Sequence, residues 1–268
     1  MTLKKSVIGL TLLSLLLLSA CGTNTADSTA PKTDTIKVGT MGTYNPFSYE
    51  DEAGQLTGYD LEVLRLVEKK DPSLAFEFVA GPWDSLFVGL DANKFQLLAN
   101  QITSNPDRLK HYTLSETPYF KSVSQIIVKA DNQTSITTLA DLKGKKIGLT
   151  VGDSFTRIVE DWNKANGNIL KINYYEQDIT TILEDIENGR LDATVNDPIM
   201  AKNKAAIQKL HIKAVGNIIA SDPTYFIATK DKPGKALMKK IDAALTSLKE
   251  EGSLAKLSTK WFDEDYTN

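Results

Sequence analysis

Residues 146–195 read KIGLTVGDSFTRIVEDWNKANGNILKINYYEQDITTILEDIENGRLDATV, and the alternation in this stretch decides the fold class. Short β-rich runs predict three strands, at Lys146–Thr150, Lys171–Tyr175 and Asp192–Val195. A helix is predicted over Ser154–Asn166. A second helix, which Gly189 ends, is indicated by four apolar residues at the i, i+3, i+4, i+7 spacing of a buried stripe: Ile179, Ile182, Leu183 and Ile186. Strands that alternate with helices predict an α/β protein with mostly parallel sheets.

The same pattern is present upstream, in residues 36–99. The predicted elements are a strand at Ile36–Thr40, a helix at Asp60–Lys70, a strand at Phe76–Val79, a short helix with Leu86, Phe87 and Leu90 that Asp84 can cap, and a strand at Phe95–Ala99. Two more helices are predicted near the C-terminus from the spacing of Leu237, Ile241, Leu245 and Leu248, and of Leu254, Leu257 and Trp261. Two α/β units in tandem predict two lobes, with a ligand in the crevice at the carboxyl ends of the strands.

Two extended stretches are predicted to connect the lobes as hinges, Val123–Lys129 and Tyr225–Thr229. Residues 36–124 and 226–268 would form the first lobe, and residues 125–225 the second. Rotation about the hinges would close the lobes on a ligand, and the ligand would favour the closed state.

The N-terminus has the features of an export signal. Lys4 and Lys5 precede an apolar run, Val7–Leu18, which is too short to be a permanent membrane span. The run ends in Leu18-Ser19-Ala20-Cys21, which matches the bacterial lipobox, so residues 1–20 are predicted to be a lipoprotein signal peptide. Cys21 would carry the lipid, and the polar residues 21–35 would form a flexible tether on the extracytoplasmic face of a bacterial cell membrane. The alternative is an ordinary signal peptide followed by a chance cysteine.

Composition excludes several classes of function. The formal net charge is −3, and scattered lysines make no basic patch for nucleic acid. Two histidines and one cysteine argue against a transition-metal site, a Cys/His nucleophile or a metal cofactor. A serine-hydrolase interpretation of Gly152-Asp153-Ser154 fails because such enzymes need a partnered histidine, and neither His111 nor His211 lies in a motif.

Seven short motifs occur in the order typical of one family. They are Thr43-Tyr44-Asn45-Pro46-Phe47, Gly58-Tyr59-Asp60-Leu61-Glu62-Val63, Trp83-Asp84-Ser85-Leu86, Asn100-Gln101-Ile102-Thr103 with Arg108, Ser115-Glu116-Thr117-Pro118-Tyr119, Asp141-Leu142-Lys143-Gly144-Lys145-Lys146-Ile147-Gly148, and Gly189-Arg190-Leu191-Asp192-Ala193. With them, the chain resembles the amino-acid family of periplasmic-type solute-binding proteins over Ile36–Phe262. Gln96 and Thr113-Leu114-Ser115 depart from the family pattern. The resemblance implies a two-lobed type II periplasmic-binding-protein fold, each lobe a mostly parallel sheet flanked by helices, with two hinge strands.

An amino-acid receptor must satisfy a carboxylate and an ammonium group together. Arg108 follows a strand and a loop and could grip the carboxylate with its fork of donors, although Asp107 and Lys110 also suit a surface arginine. Asp197 comes after a strand and before Pro198, which is typical of a helix N-cap. The resemblance instead makes Asp197 the ammonium acceptor.

The resemblance supplies the other predicted contacts. Aromatic rings of Tyr44 and Trp83 would sandwich the ligand side chain. Thr103 would bind the carboxylate with its hydroxyl, and Ser154, at the start of a helix, would share it. The complete predicted site consists of Tyr44, Trp83, Asn100, Gln101, Thr103, Arg108, Thr150, Gly152, Ser154 and Asp197.

These features predict a monomeric, non-enzymatic receptor that delivers a polar amino acid to an ABC transporter permease. The chain contains no nucleotide-binding loop of its own. Three segments are most similar to the cystine-binding branch, which favours L-cystine as the ligand: Gly42–Phe47, Trp83–Phe87 and Ala99–Gln101. Glutamine or another polar amino acid is an alternative. So are a secreted dehydratase-like enzyme, which would need a spare general acid of which the sequence shows none beyond Asp197, and an adhesin or signalling module.

Overall fold

The structure is a computed structural model, and it describes residues 35–176 and 178–268. The strands are β1 Thr35–Thr40, β2 Thr43–Tyr44, β3 Ser48–Glu50, β4 Leu56–Thr57, β5 Ala75–Ala80, β6 Leu97–Thr103, β7 Tyr112–Leu114, β8 Phe120–Lys129, β9 Lys146–Thr150, β10 Lys171–Tyr175, β11 Ala193–Asn196 and β12 Ile212–Thr229. The helices are α1 Tyr59–Lys70, α2 Trp83–Asp91, α3 Pro106–His111, α4 Ser154–Ala165, α5 Ile179–Glu187, α6 Pro198–Gln208, α7 Lys232–Glu250 and α8 Ser253–Phe262. A short 3₁₀ helix covers Leu139–Leu142.

The alternation predicted from the sequence is confirmed, with most boundaries within one residue. The predicted signal peptide, Cys21 and all of the tether but its last residue lie outside the described residues. Thr35, which was assigned to the tether, is instead the first residue of β1, because its backbone pairs with Ala75 of β5.

Two local predictions were wrong. Asp84 does not cap α2, because the helix already begins at Trp83 with Pro82 in the capping position. The third strand is longer than Phe95–Ala99 and is shifted toward the C-terminus: β6 runs on to Thr103 because it pairs with distant β12 at Ile102 and Thr103.

One nine-stranded sheet contains most of the strands, in the order β10-β9-β11-β8-β12-β6-β1-β5, with β7 on β12. Strands β5, β1 and β6 are parallel to one another in one half of the sheet, and β10, β9 and β11 are parallel in the other half. The long antiparallel strands β8 and β12 join the halves, and they contain the two predicted hinge stretches. The boundaries of the two predicted lobes stay a prediction.

The N-terminal end of α1 is held in place by a small three-stranded sheet of β2, β3 and β4. Gly58 has φ 126°, and a Cβ atom there would lie 2.3 Å from the carbonyl oxygen of Phe47, so only glycine fits. The backbone N–H groups of Tyr59 and Asp60 donate to the carbonyls of Pro46 and Phe47. This anchoring points the fully buried Asp60 side chain toward the end of β6.

The helices cover the sheet with their apolar faces. The stripe predicted on α5 is buried at all four positions, and the C-terminal helices α7 and α8 bury Ile241, Leu245 and Leu254. None of the helices in the described part combines the length and the apolar composition that crossing a bilayer requires.

Candidate functional site

A cleft lies where the carboxyl ends of strands from both halves of the sheet meet. It contains about 490 Å³ of empty space when its open mouth is included. Hereafter called the binding cleft, it is lined by Met41, Tyr44, Trp83, Asn100, Gln101, Thr103, Thr150, Asp153, Ser154, Phe155, Ile179 and Asn196.

Arg108 lies at one end of the binding cleft with its guanidinium buried. Asn105 caps the short helix α3 by accepting a hydrogen bond from the Arg108 backbone N–H, and Pro106 provides the preset φ of its first turn. The guanidinium donates to the Thr103 carbonyl at 2.9 Å, the Ser154 hydroxyl at 3.0 Å and the Gly152 carbonyl at 3.3 Å. All three acceptors are neutral oxygens, so the hydrogen bonds of this cation join the two halves of the sheet without neutralising its charge.

No carboxylate within residues 35–176 and 178–268 forms an ion pair with Arg108, whereas the other three arginines pair with Glu62, Asp161 and Asp185. Burial lowers the pKa of Arg108 from its ordinary value, and the negative charge of Asp153 counteracts this shift. A buried cation with neutral partners is suited to an anionic ligand.

Aromatic rings and apolar side chains surround the middle of the binding cleft. Trp83 and Phe87 lie against Arg108, with its guanidinium carbon 5.6 and 5.3 Å from their ring centroids. Tyr44 is almost fully buried, and its hydroxyl donates to the side-chain oxygen of Asn196 at 2.7 Å. Like the Thr103–Ser154 hydroxyl pair at 2.7 Å, this bond connects the two halves, which therefore touch across the cleft.

Within residues 35–176 and 178–268, Asn100 and Gln101 leave complementary groups of their amides without a hydrogen-bond partner. The Asn100 side-chain oxygen accepts from the Met41 N–H at 2.9 Å and the Thr40 hydroxyl at 3.3 Å, which leaves its NH₂ group for other partners. In Gln101 the amide nitrogen is hydrogen-bonded and the amide oxygen is left over. Its NH₂ and its backbone N–H donate to Asp60 at 2.6 and 2.7 Å, and its buried Oε1 has no hydrogen-bond partner among the described residues.

Asp197 does not line the binding cleft but lies beside it, fully buried. It caps α6 by accepting from the backbone N–H groups of Ile199 and Met200 at 2.8 and 3.3 Å. Its second oxygen accepts from Ser122 and Val123 of β8 over longer distances, 3.2 and 3.5 Å. The interpretation as an N-cap is thus confirmed, and the role in ammonium binding stays a prediction.

Asp197 and the partly buried Asp153 form no ion pair in the part of the chain that the structure describes, although the positive charge of Arg108 acts to lower the pKa of Asp153. Burial raises the pKa of Asp197 to about 6, against backbone hydrogen bonds that lower it, and also raises the pKa of Asp153 to about 6. Asp153 lines the binding cleft, and its recorded hydrogen bond is to the Phe155 N–H at 3.1 Å.

The structure brings seven predicted residues into the cleft lining: Tyr44, Trp83, Asn100, Gln101, Thr103, Thr150 and Ser154. Arg108 and Gly152 border it through the contacts described above. The sequence interpretation did not include Met41, Asp153, Phe155, Ile179 and Asn196. Asp153 and Asn196 could have been found as polar neighbours of the predicted Ser154 and Asp197, whereas the apolar members carry no sequence signal beyond hydrophobicity.

Comparisons with known proteins agree with this architecture. The model of the bacterial extracellular solute-binding proteins, family 3, matches residues 36–264. The L-cystine-binding protein TcyK of Bacillus subtilis (strain 168) is 31% identical over 252 residues, which cover 93% of this chain and 92% of TcyK. A solved structure described as a putative L-cystine ABC transporter from Listeria monocytogenes is 31% identical with a TM-score of 0.78, and covers 88% of this chain and 98% of its own.

A second solved structure comes from work on glutathione import via GshT and the cystine ABC importer TcyBC of Streptococcus mutans. It is 29% identical with a TM-score of 0.78, over 88% of this chain and 97% of that chain. These likenesses confirm the α/β, type II periplasmic-binding-protein fold. Matched over nearly all of its described length, the chain belongs to the family 3 bacterial extracellular solute-binding proteins and is an amino-acid-binding protein of an ABC transporter.

Proposed function

We propose that this protein is the extracytoplasmic receptor of an ABC importer, and that it binds L-cystine between two closing lobes and presents it to the permease. The observation that carries the proposal is the buried Arg108, whose hydrogen bonds all go to neutral oxygens from both halves of the sheet. A ligand carboxylate would form an ion pair with this guanidinium and would thereby stabilise the closed arrangement.

The first step of binding would place the α-carboxylate between Arg108 and the N-terminus of α4. Ser154 is the first residue of that helix, and its hydroxyl already contacts both Arg108 and Thr103. Because the contacts come from both halves, a carboxylate held there would stabilise closure.

The α-ammonium group would go to Asp197. Its long contacts to Ser122 and Val123 make the second carboxylate oxygen the less firmly held one. An ammonium group that approached this oxygen would pair with a buried carboxylate that has no cation in the described part of the chain, and so favour its ionised form.

Cystine has a second amino-acid end, which must also be satisfied. The unused NH₂ group of Asn100 and the unused oxygen of Gln101 suit a carboxylate and an ammonium group respectively. Tyr44, Trp83 and Phe155 would contact the disulfide-linked middle of the molecule, where aromatic rings suit sulfur. The names of TcyK and of the Listeria protein also favour cystine.

Glutathione is a second candidate ligand because the Streptococcus structure comes from a study of glutathione import. Glutamine stays an alternative. A dehydratase-like activity stays the less favoured alternative; it would need a spare general acid, and Asp153 is the carboxyl group that lines the binding cleft. We also propose that Cys21 carries a lipid anchor and that the protein is a monomer.

The test is calorimetric titration of the purified protein with the twenty standard amino acids, L-cystine and reduced and oxidised glutathione. We expect L-cystine to bind more tightly than every other compound and no compound to be turned over. Tenfold tighter binding of arginine, histidine, glutamine or glutathione would make the cystine assignment wrong.

A further inference from the structure

We propose that Asp60 is a positioning residue for ligand recognition: it orients the Gln101 side-chain amide so that the amide oxygen accepts a hydrogen bond from an ammonium group of the ligand. This inference rests on the proposed function, since it needs an amino acid in the binding cleft. Asp60 itself is not among the residues that line the cleft.

The contacts of Asp60 restrain Gln101 at two points. One carboxylate oxygen of Asp60 accepts from the Gln101 backbone N–H at 2.7 Å, and the other accepts from the Gln101 side-chain nitrogen at 2.6 Å. Gln101 adopts a left-handed backbone with φ 49°, which is uncommon for a residue other than glycine. Such a conformation persists where surrounding contacts fix it, and it occurs often at binding sites.

The chemistry of a carboxylate decides which end of the amide is left over. An ionised carboxylate only accepts hydrogen bonds, so both donors of Gln101 must face Asp60. The oxygen Oε1 is then the remaining polar atom of the amide, and it is buried without a partner in the part of the chain that the structure describes. A buried acceptor without a donor is unfavourable, and an ammonium group supplies a strong one.

The negative charge of Asp60 is not neutralised by a cation among the described residues. No ion pair within the described ranges includes Asp60, and its burial raises its pKa to about 7 while the two Gln101 hydrogen bonds lower it. At pH 8 the carboxylate is mainly ionised, and the amide orientation described above is the one that satisfies it.

The substitution Asp60→Asn tests the orientation directly. The backbone N–H of Gln101 is a fixed donor, so the oxygen of the introduced amide must face it. The introduced NH₂ group then faces the Gln101 side chain, which must turn its oxygen toward this donor and its own NH₂ group toward the ligand. We expect L-cystine at pH 8 to bind about tenfold or more weakly, the effect of one lost hydrogen bond to a charged group.

A ligand without ammonium groups separates orientation from general damage. The probe is 3,3′-dithiodipropionic acid, which is cystine without its two amino groups. Asp60→Asn should change its affinity less than threefold, while the affinity for L-cystine falls. Equal losses for both compounds, or an L-cystine affinity within threefold of the wild type, would overturn the proposal.

A second substitution should restore binding. In Asp60→Asn/Gln101→Glu, one oxygen of the new carboxylate accepts from the introduced amide and the other is available to the ammonium group. We expect this double variant to regain most of the lost affinity for L-cystine, whereas Gln101→Glu alone places two carboxylates together and binds weakly. Failure of the double variant to recover, with thermal unfolding showing that it is folded, would contradict the proposal.

If Asp60→Asn does not fold, Gln101→Met replaces it, because this variant keeps the length of the side chain and removes the amide. It should weaken L-cystine and spare the ammonium-free probe, and an equal effect on both would overturn the proposal. Arg108→Ala in the same titrations reports on the proposed function itself. Loss of L-cystine binding in Arg108→Ala with wild-type binding in the Asp60 and Gln101 variants would reject this inference alone.

Discussion

Single buried charges dominate the site at the scale of the residue. Arg108 and Asp197 are buried and Asp153 is partly buried; within the described ranges none of them forms an ion pair, although the charges of Arg108 and Asp153 attract each other. Isolated buried charges are costly, and they persist where a ligand pairs with them. The sequence predicted Arg108 and Asp197 by resemblance to a family.

Replacing Arg108 tests the carboxylate contact. Arg108→Ala removes the guanidinium that contacts Thr103, Gly152 and Ser154, so the ligand carboxylate would lose its charged donor there. Truncating one partner of a buried charge pair costs about 2–5 kcal/mol, which corresponds to roughly 30-fold to several-thousandfold weaker binding. Calorimetric titration measures this effect.

Arg190→Ala is the matched control for that measurement, since Arg190 is 60% exposed and pairs with Asp185 at the surface. We expect its affinity to equal that of the wild type. Binding by Arg108→Ala within threefold of the wild type would show that the carboxylate is held elsewhere.

Asp153 and Asp197 can be told apart by removing one charge at a time. Asp197→Asn keeps an oxygen for the cap of α6 but loses the charge that would pair with the ligand ammonium, so affinity should fall by about 10- to 100-fold. Asp153→Asn should bind within threefold of the wild type or more tightly, because it removes a negative charge near the carboxylate end. The reverse ranking in calorimetry would assign the ammonium group to Asp153.

At the scale of the element, regular periodicity was predictable and short irregular structure was not. The stripe on α5 and the parallel strands β9 and β10 follow from local spacing, and the structure confirms them. Strands β2, β3 and β4 have two or three residues each, too few for an alternating pattern to show. The far end of β6, which carries Gln101 and Thr103, depends on pairing with β12 more than 100 residues away, which no local pattern reports.

The turn into α1 gives a prediction about stability. Gly58→Ala would place a methyl group 2.3 Å from the Phe47 carbonyl oxygen at φ 126°, so the turn must move. We expect urea unfolding to show a loss of at least about 2 kcal/mol. Gly54→Ala is the control, because Gly54 also has a positive φ, 73°, but nothing lies within 4 Å of the added Cβ atom, and it should cost about 1 kcal/mol. Equal losses would mean that the close approach to Phe47 does not matter.

At the scale of the whole molecule, the two halves of the sheet touch through hydrogen bonds of Tyr44, Thr103 and Arg108. These are also predicted ligand contacts. A ligand that used them would stabilise the closed arrangement by adding to bonds that already cross the cleft. The sequence predicted two units and two hinges, but the side chains that meet across the cleft follow from how the halves face each other, which only the tertiary structure shows.

The proposed lipid anchor gives a prediction about location. Two acyl chains on Cys21 would hold the protein on the membrane, whereas one chain or none would not. Cys21→Ala should therefore leave the protein in the medium or as an unprocessed precursor, which cell fractionation with immunoblotting would measure. Ser19→Thr, a conservative change in the same motif, is the control and should remain attached. Normal surface retention of processed Cys21→Ala protein would reject the anchor.

The buried acids also set how the stability of the whole protein depends on pH. Burial raises the pKa of Asp60 to about 7, above its unfolded value of 3.8, so the folded state holds a proton that the unfolded state releases. The free energy of unfolding therefore rises as pH falls from 8 to 5. This added stability is lost as pH rises through about 7. Asp153 and Asp197 add to this trend below about pH 7. Exposed acids whose pKa is lowered, such as Asp141 and Asp231, oppose it only at lower pH.

Urea unfolding of the ligand-free protein at pH 8, 7, 6 and 5 would measure this dependence. The group in Asp60→Asn cannot titrate, so the rise in unfolding free energy between pH 8 and 5 should be smaller in that variant by about 2–3 kcal/mol, the contribution of one carboxyl group with this shift. Parallel curves for the wild type and Asp60→Asn would show that Asp60 is already ionised throughout this range, since a carboxylate held ionised by the two Gln101 donors would take up no proton on folding.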